Sequence, residues 1–181
     1  MSPDLKAALA VSDLLFDRAT IERETRRIAA EIDRDYAGGE RPVYLTVMHG
    51  GMLFASQLAL ELATDLEFDY LHATRYRGAT TGAGLSWLHR PATPLRGRRV
   101  LVADDILDEG HTLLAVKQWC EQEGAADVRI AVLALKHHDR RAPGIAADYI
   151  AIEVPDRYVY GYGMDYHEQG RNLPAIYALK D

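Results

Sequence analysis

The stretch V-L-V-A-D-D-I-L-D-E-G-H-T-L, from Val100 to Leu113, decides the fold and most of the chemistry. It begins as an unbroken apolar run, the pattern of a strand buried on both faces. It then sets Asp104, Asp105, Asp108 and Glu109, four carboxylates within six residues, just ahead of a helical pattern. Carboxylates packed this closely repel one another, so a chain tolerates them mainly where something positive or rich in hydroxyls binds. The D-E-G-H-T half precedes a helix N-terminus, where unpaired backbone N–H groups and the positive end of the helix dipole favour an anion. Gly110 allows a tight turn there, and Thr112 is placed to cap the helix or donate its hydroxyl. The D-D half is an acceptor-only pair suited to sugar hydroxyls or to water around Mg²⁺. One end of the segment wants phosphate and the other a diol or a metal. A ribose 5-phosphate satisfies both.

Upstream, Thr20 to Tyr36 reads as an amphipathic helix with Ile21, Thr25, Ile28 and Ile32 on one face, stopped by Gly38-Gly39. V-Y-L-T-V (Val43 to Val47) is a buried strand, followed by H-G-G and a helix from Met52 to about Ala63. Glu67 to Tyr76 is of strand type, and the glycine-rich Arg77 to Gly84 a loop. Around the acidic segment, Arg99 to Ala103 is the entering strand, Asp104 to Thr112 a loop, and Leu113 to Glu123 the leaving helix. Arg129 to Leu135 and Asp148 to Glu153 are two more strands. Strands alternating with helices imply an α/β fold, a Rossmann-like, mostly parallel sheet flanked by helices on both faces. The tail from Pro155 lacks a long periodic element and is expected to form a small irregular hood over the sheet edge. The whole chain, 1–181, is expected to be one domain, with a core of about 12–154 and a hood of about 155–181 joined by the N-terminal segment. In such folds ligands bind beyond the carboxyl ends of the strands. His49-Gly50-Gly51, Arg75-Tyr76, the acidic loop and Lys136 all fall there.

Composition narrows the classes. A net charge of -6 argues against a broad nucleic-acid footprint, which is normally basic. The lone Cys120 excludes an intrachain disulfide and a cysteine zinc cluster. No apolar run approaches the roughly 20 residues that span a bilayer, and charges interrupt any signal-peptide core, so a cytoplasmic setting is expected. There is no P-loop and no H-E-x-x-H, and the adjacent His137-His138 do not share a face at ligand spacing.

The Val100 to Leu113 segment resembles the phosphoribosyl-pyrophosphate signature of type I phosphoribosyltransferases. L-A-L-K (Leu133 to Lys136) and V-P-D-R-Y-V-Y-G-Y-G-M-D-Y (Val154 to Tyr166) are similar to the purine-binding segment of the hypoxanthine-guanine members. The resemblance implies transfer of the phosphoribosyl group to a 6-oxopurine, with Mg²⁺ as the cofactor. It implies that Asp104 and Asp105 hold the ribose hydroxyls and the metal's water shell, and that Asp108 is the general base. Asp108, Glu109, Gly110, His111 and Thr112 would complete the phosphoribosyl pyrophosphate loop. Backbone at His49, Gly50 and Gly51, with Arg171 and Tyr76, would meet the pyrophosphate, and Asp165 would help hold a second Mg²⁺. In the purine pocket, Lys136 can donate to a 6-oxo group, and Tyr158 offers a ring face for stacking. Val159 and the carbonyl near Asp165 would read the remaining edge. The loop 76–84 would close as a lid, excluding water from a sugar cation. A homodimer or homotetramer is expected, with small-molecule substrates and neither nucleic acid nor membrane as partners.

The chain departs from the family pattern in places. His49 stands where lysine is common, at a step where a non-proline cis peptide often occurs. Arg75 stands where serine commonly precedes the tyrosine, and Glu109 replaces a small hydroxyl residue and is expected to face solvent. Two alternatives remain open: a pyrimidine-directed or RNA-binding regulatory member of the same fold, and a receiver-like signalling module built on L-V-A-D-D. The order among hypoxanthine, guanine and xanthine is also open.

Overall fold

The computed structural model describes residues 4–75 and 85–180. Its elements in chain order are α1 (Leu5–Ala10), β1 (Ser12–Phe16), α2 (Arg18–Tyr36), β2 (Val43–Val47), α3 (Met52–Glu61), β3 (Glu67–Arg75), β4 (Leu85–His89), β5 (Arg99–Leu107), α4 (His111–Gln122), β6 (Asp127–Lys136), β7 (Tyr149–Val154), β8 (Val159–Tyr160) and β9 (Ile176–Leu179). The opening stretch is the centre of this arrangement. β5 lies between β2 and β6 in a six-stranded sheet ordered β4-β3-β2-β5-β6-β7. Every pairing is parallel except that of β4, which runs antiparallel to β3 at the edge.

Side-chain alternation along β5 explains its unbroken apolar run. Val100 and Val102 point into one buried cluster, Leu101 and Ala103 into the other. The first layer receives Leu113, Val116 and Cys120 of α4. The second receives Ile21, Ile28 and Ile32 of α2 and Phe54 and Leu58 of α3. The stripe expected on the first long helix is therefore the face that packs, and Thr25 joins it because its hydroxyl donates to the Ile21 carbonyl at 2.8 Å. That helix starts at Arg18, earlier than expected, because Asp17 caps it by accepting from the Thr20 N–H at 2.8 Å.

Three sequence expectations need correction. β5 continues past Ala103 to Leu107, so Asp104 and Asp105 lie on the strand and not in a loop. The polar residues escaped the strand pattern, yet the ladder to β6 runs on through Asp104↔Val132 and Leu107↔Leu135. α4 starts at His111 with Gly110 at its N-cap, so Thr112 sits inside the helix and does not cap it. The tail is also more regular than expected. β8 and β9 join β1 in a three-stranded antiparallel sheet, ordered β1-β9-β8, which is why chain start and chain end travel together. Strands this short leave little periodic signal.

Candidate active site

Strand register assembles the site. Because Leu107 pairs with Leu135, the next residues along, Asp108 just past β5 and Lys136 at the end of β6, come side by side. Their contact is an ion pair of 2.7 Å between Lys136 Nζ and Asp108 Oδ2. On the other flank Thr46 pairs with Ala103, which brings the loop after β2 against Asp104 and Asp105. That loop contains a cis peptide between Met48 and His49, at the step where the family resemblance places one. A Cβ on Gly50 would fall on the Asp105 carboxylate, so only glycine lets the loop approach this closely. The Gly51 N–H donates to the Val47 carbonyl at 2.9 Å, holding the loop's turn.

The acidic pair is buried, at 8% and 9% exposure, and Asp104 Oδ1 accepts from the Asp105 backbone N–H at 2.9 Å. Burial, then the charge of Asp105, push the Asp104 carboxyl well above the usual range. Burial also raises Asp105, a push that a hydrogen bond from Asp104 and the charge of Arg171 only partly offset. Two such groups invite a bound cation or hydroxyl donors, which would relieve both costs.

Asp108 is different. Burial works to raise it, but hydrogen bonds from Lys136 and His138 outweigh burial and hold it below the usual carboxylate range. His138 Nε2 lies 2.7 Å from Asp108 Oδ1, and its ring is 1% exposed. Sequence reasoning missed this contact, having set the histidine pair aside as a non-metal site. The signal was the spacing. Lys136 and His138 are two apart at a strand end, where alternate side chains face the same way.

Two clefts meet over these groups. One, of about 500 Å³, lies between the Met48-His49-Gly50 loop and the start of α4, and is lined by Asp104, Asp105 and residues 108–113. Gly110 turns there with φ +79°, and a Cβ on it would press on Ile145 and Leu107. Glu109 is exposed, as expected, and lies 3.7 Å from His111. Arg171 reaches this cleft from the hood, braced by the Gly163 carbonyl at 2.7 Å and by Asp165 at 2.8 Å. His72, unmarked by the sequence, also lines it, with its ring 4.3 Å from that of His49; burial, then His49, lower its basicity.

The second cleft, of about 390 Å³, brings together Lys136, Tyr158, Val159 and Asp165. Tyr158 is 44% exposed, which leaves ring surface available. Its hydroxyl donates to the Asp165 carbonyl at 3.3 Å, so the carbonyl expected to read the ligand's edge already has one partner. Asp105, Ile106 and Asp108 belong to both clefts. The structure thus gathers every site residue read from the sequence except Tyr76, which, with the lid segment 76–84, lies outside the described residues.

A sequence profile of the phosphoribosyl transferase domain matches residues 12–167. Hypoxanthine-guanine phosphoribosyltransferase of Streptococcus pneumoniae (strain ATCC BAA-255 / R6) is 33% identical over 172 residues, covering 94% of each chain. Among solved structures, a hypoxanthine phosphoribosyltransferase from Staphylococcus aureus superposes with a TM-score of 0.88 at 28% identity, covering 99% of this chain and 96% of that one. One from Trypanosoma cruzi, solved as a ternary complex with substrates, gives 0.85 at 27% identity, covering 92% and 94%. These matches favour the transferase over the receiver-like module. Sheet order, acidic strand end and sequence likeness agree along nearly the whole length, and the chain belongs to the phosphoribosyltransferase family, among its hypoxanthine-guanine members.

Proposed function

We propose that the protein transfers the 5-phosphoribosyl group of phosphoribosyl pyrophosphate to a ring nitrogen of a 6-oxopurine, hypoxanthine or guanine. The products are IMP or GMP and pyrophosphate, the chemistry of purine salvage. One observation carries the reading. A cleft walled by an anion-favouring loop and helix start meets a cleft holding a lysine and an exposed tyrosine, and the shared wall is Asp105, Ile106 and Asp108. A sugar phosphate on one side and a purine on the other would meet at that wall.

The residues divide the work by their chemistry. Lys136 is a donor with no acceptor, so it selects a 6-oxo group and rejects a 6-amino group. Tyr158 supplies a stacking face, and the backbone of Val159 reads the ring edge. Asp108, ionised at neutral pH, takes the proton from the purine ring as the nitrogen attacks C1 of the ribose. Residues 108–112 at the start of α4 hold the 5-phosphate with backbone N–H groups. Backbone at His49 and Gly50, together with Arg171, would face the departing pyrophosphate.

The acidic pair fits Mg²⁺. Its carboxylates are hard oxygen donors, buried with raised proton affinity, and among the described residues no ion pair reaches either. Among those residues, no three His, Cys, Asp or Glu side chains converge to hold an ion by themselves. That matches a metal which keeps water and substrate phosphates and takes only one or two carboxylates. Asp104 and Asp105 would hold it, with Asp165 near a second ion, and it would supply Lewis-acid stabilisation of the leaving group.

We read the chain as one domain in which the small sheet acts as the hood, and as a homodimer or homotetramer. Exposed Phe68 and Tyr70 on one face of β3 provide apolar surface for self-association. No described helix is long and apolar enough to cross a membrane. The test is Mg²⁺-dependent pyrophosphate release with each purine base in turn. Hypoxanthine and guanine should support release and adenine should not. Release that ignores the base would refute the reading.

A further inference from the structure

The segment after β6 wraps the loop that carries Asp108. The Ala142 N–H donates to the Glu109 carbonyl at 2.8 Å, and Arg141 donates to the Lys136 carbonyl at 2.8 Å. Arg140 grips Asp156 with two bonds of 2.7 Å, tying the segment to the start of the hood. His138 sits inside this wrap. Its Nδ1 accepts from the Arg140 backbone N–H at 3.0 Å. A backbone N–H can only donate, so Nδ1 must carry the lone pair and Nε2 the proton. The ring is then a neutral donor aimed at Asp108 Oδ1, held at both nitrogens and sealed from solvent.

Asp108 has a conflict to resolve. Lys136 covers Oδ2 at 2.7 Å, and an ammonium there both blocks that oxygen and weakens it as a base. The purine pocket needs the same ammonium for the 6-oxo group. When Lys136 turns to the purine, Oδ2 is uncovered and its basicity rises, but a carboxylate held by nothing else would rotate. We infer that His138 is a positioning residue for Asp108, fixing Oδ1 as a neutral donor so that Oδ2 faces the purine once Lys136 has turned away. This rests on the reaction proposed above. In the step, the ring nitrogen bonds to C1 of the ribose and the C1–oxygen bond breaks. The electron pair leaves with pyrophosphate, and the ring proton passes to Oδ2. His138 keeps its own proton throughout. The titratable and charged groups around Asp108 are Lys136 and the neutral His138 ring in contact, Arg140 beyond them, and Asp156 paired to Arg140.

The experiment compares His138→Leu, which keeps bulk and removes the donor, with His138→Gln, which restores an N–H at similar reach. His138→Leu should lower kcat about 10-fold, the effect of one lost hydrogen bond to a charged group, with KM for phosphoribosyl pyrophosphate unchanged. His138→Gln should recover most of that loss. A purely structural histidine would lower the thermal midpoint in both variants without this split. Equal kcat in wild type and His138→Leu, while Asp108→Asn is inactive, overturns the inference and leaves the transferase reading standing. A second measurement works without turnover. In the ligand-free protein, the ¹³C signal of the Asp108 carboxyl should titrate at higher pH in His138→Leu than in wild type or His138→Gln. An unmoved midpoint overturns the inference even if no purine is ever used.

Discussion

Asp104-Asp105 lie on β5 and Asp108 follows its end, and the protein treats them in opposite ways. The pair is buried in the cleft wall against the Gly50 and Gly163 backbone, and burial raises both carboxyls. Asp108 stands at the rim, where Lys136 and His138 overcome burial and lower it. The difference separates two tasks. A site that leaves its charges uncompensated waits for a ligand to supply the compensation. A site that compensates its charge internally can release it on demand, by moving one partner. The first suits binding of a sugar and its cation, the second suits proton transfer.

The sharpest way to break this division is Asp108→Asn. Turnover should fall about 10²-fold or more, the usual contribution of a general base, while phosphoribosyl pyrophosphate binding stays close to wild type. A near-normal rate in steady-state assays would remove Asp108 from proton transfer.

Lys136→Ala tests the releasable partner. It should cost roughly 10- to 100-fold in kcat/KM for the purine, as expected when a buried acceptor loses its donor, and little in phosphoribosyl pyrophosphate affinity. Equal losses for both substrates would place the purine pocket elsewhere. The pH profile adds a sign. Asp108 must be ionised to accept a proton, so activity disappears as pH falls through its depressed folded pKa. Without Lys136 that pKa rises, and the acid limb of kcat/KM should move to higher pH.

Asp104→Asn probes the uncompensated side. The amide keeps the oxygen that accepts from the Asp105 N–H but removes a buried charge. A carboxyl raised by folding contributes stability below its unfolded pKa and loses it as pH rises through the folded value. The ligand-free protein should therefore weaken with rising pH, and Asp104→Asn should flatten that slope. At neutral pH its melting midpoint should rise by about 2–4 °C, if relief of the buried charge is near 1 kcal/mol in a chain of this size. A lower midpoint would show that the carboxylate is already satisfied without ligand.

Much of this was legible in the residues. Unbroken apolar runs placed the central strands and an apolar stripe the long helix, since Val100 to Ala103 and Ile21, Ile28 and Ile32 report burial directly. The chemistry of the site was legible because Asp104 to Thr112 and Lys136 sit at strand ends, where topology alone brings residues together. What stayed hidden depended on pairing at a distance. β4 and the three-stranded hood are too short to carry a period, and their partners lie far along the chain. His138 was hidden for a related reason. Spacing alone sets Lys136 and His138 on one side, but nothing in K-H-H says that this side meets a carboxylate while His137 turns outward to Glu153, until the wrap of 136–142 is seen.

The most direct test is a calorimetric titration of phosphoribosyl pyrophosphate with and without Mg²⁺, into wild type and into the Asp104→Asn/Asp105→Asn double variant. The account predicts Mg²⁺-strengthened binding to wild type and a loss of about 10²-fold or more in the variant, as two charge-assisted partners vanish. Binding of equal strength to both proteins would contradict it.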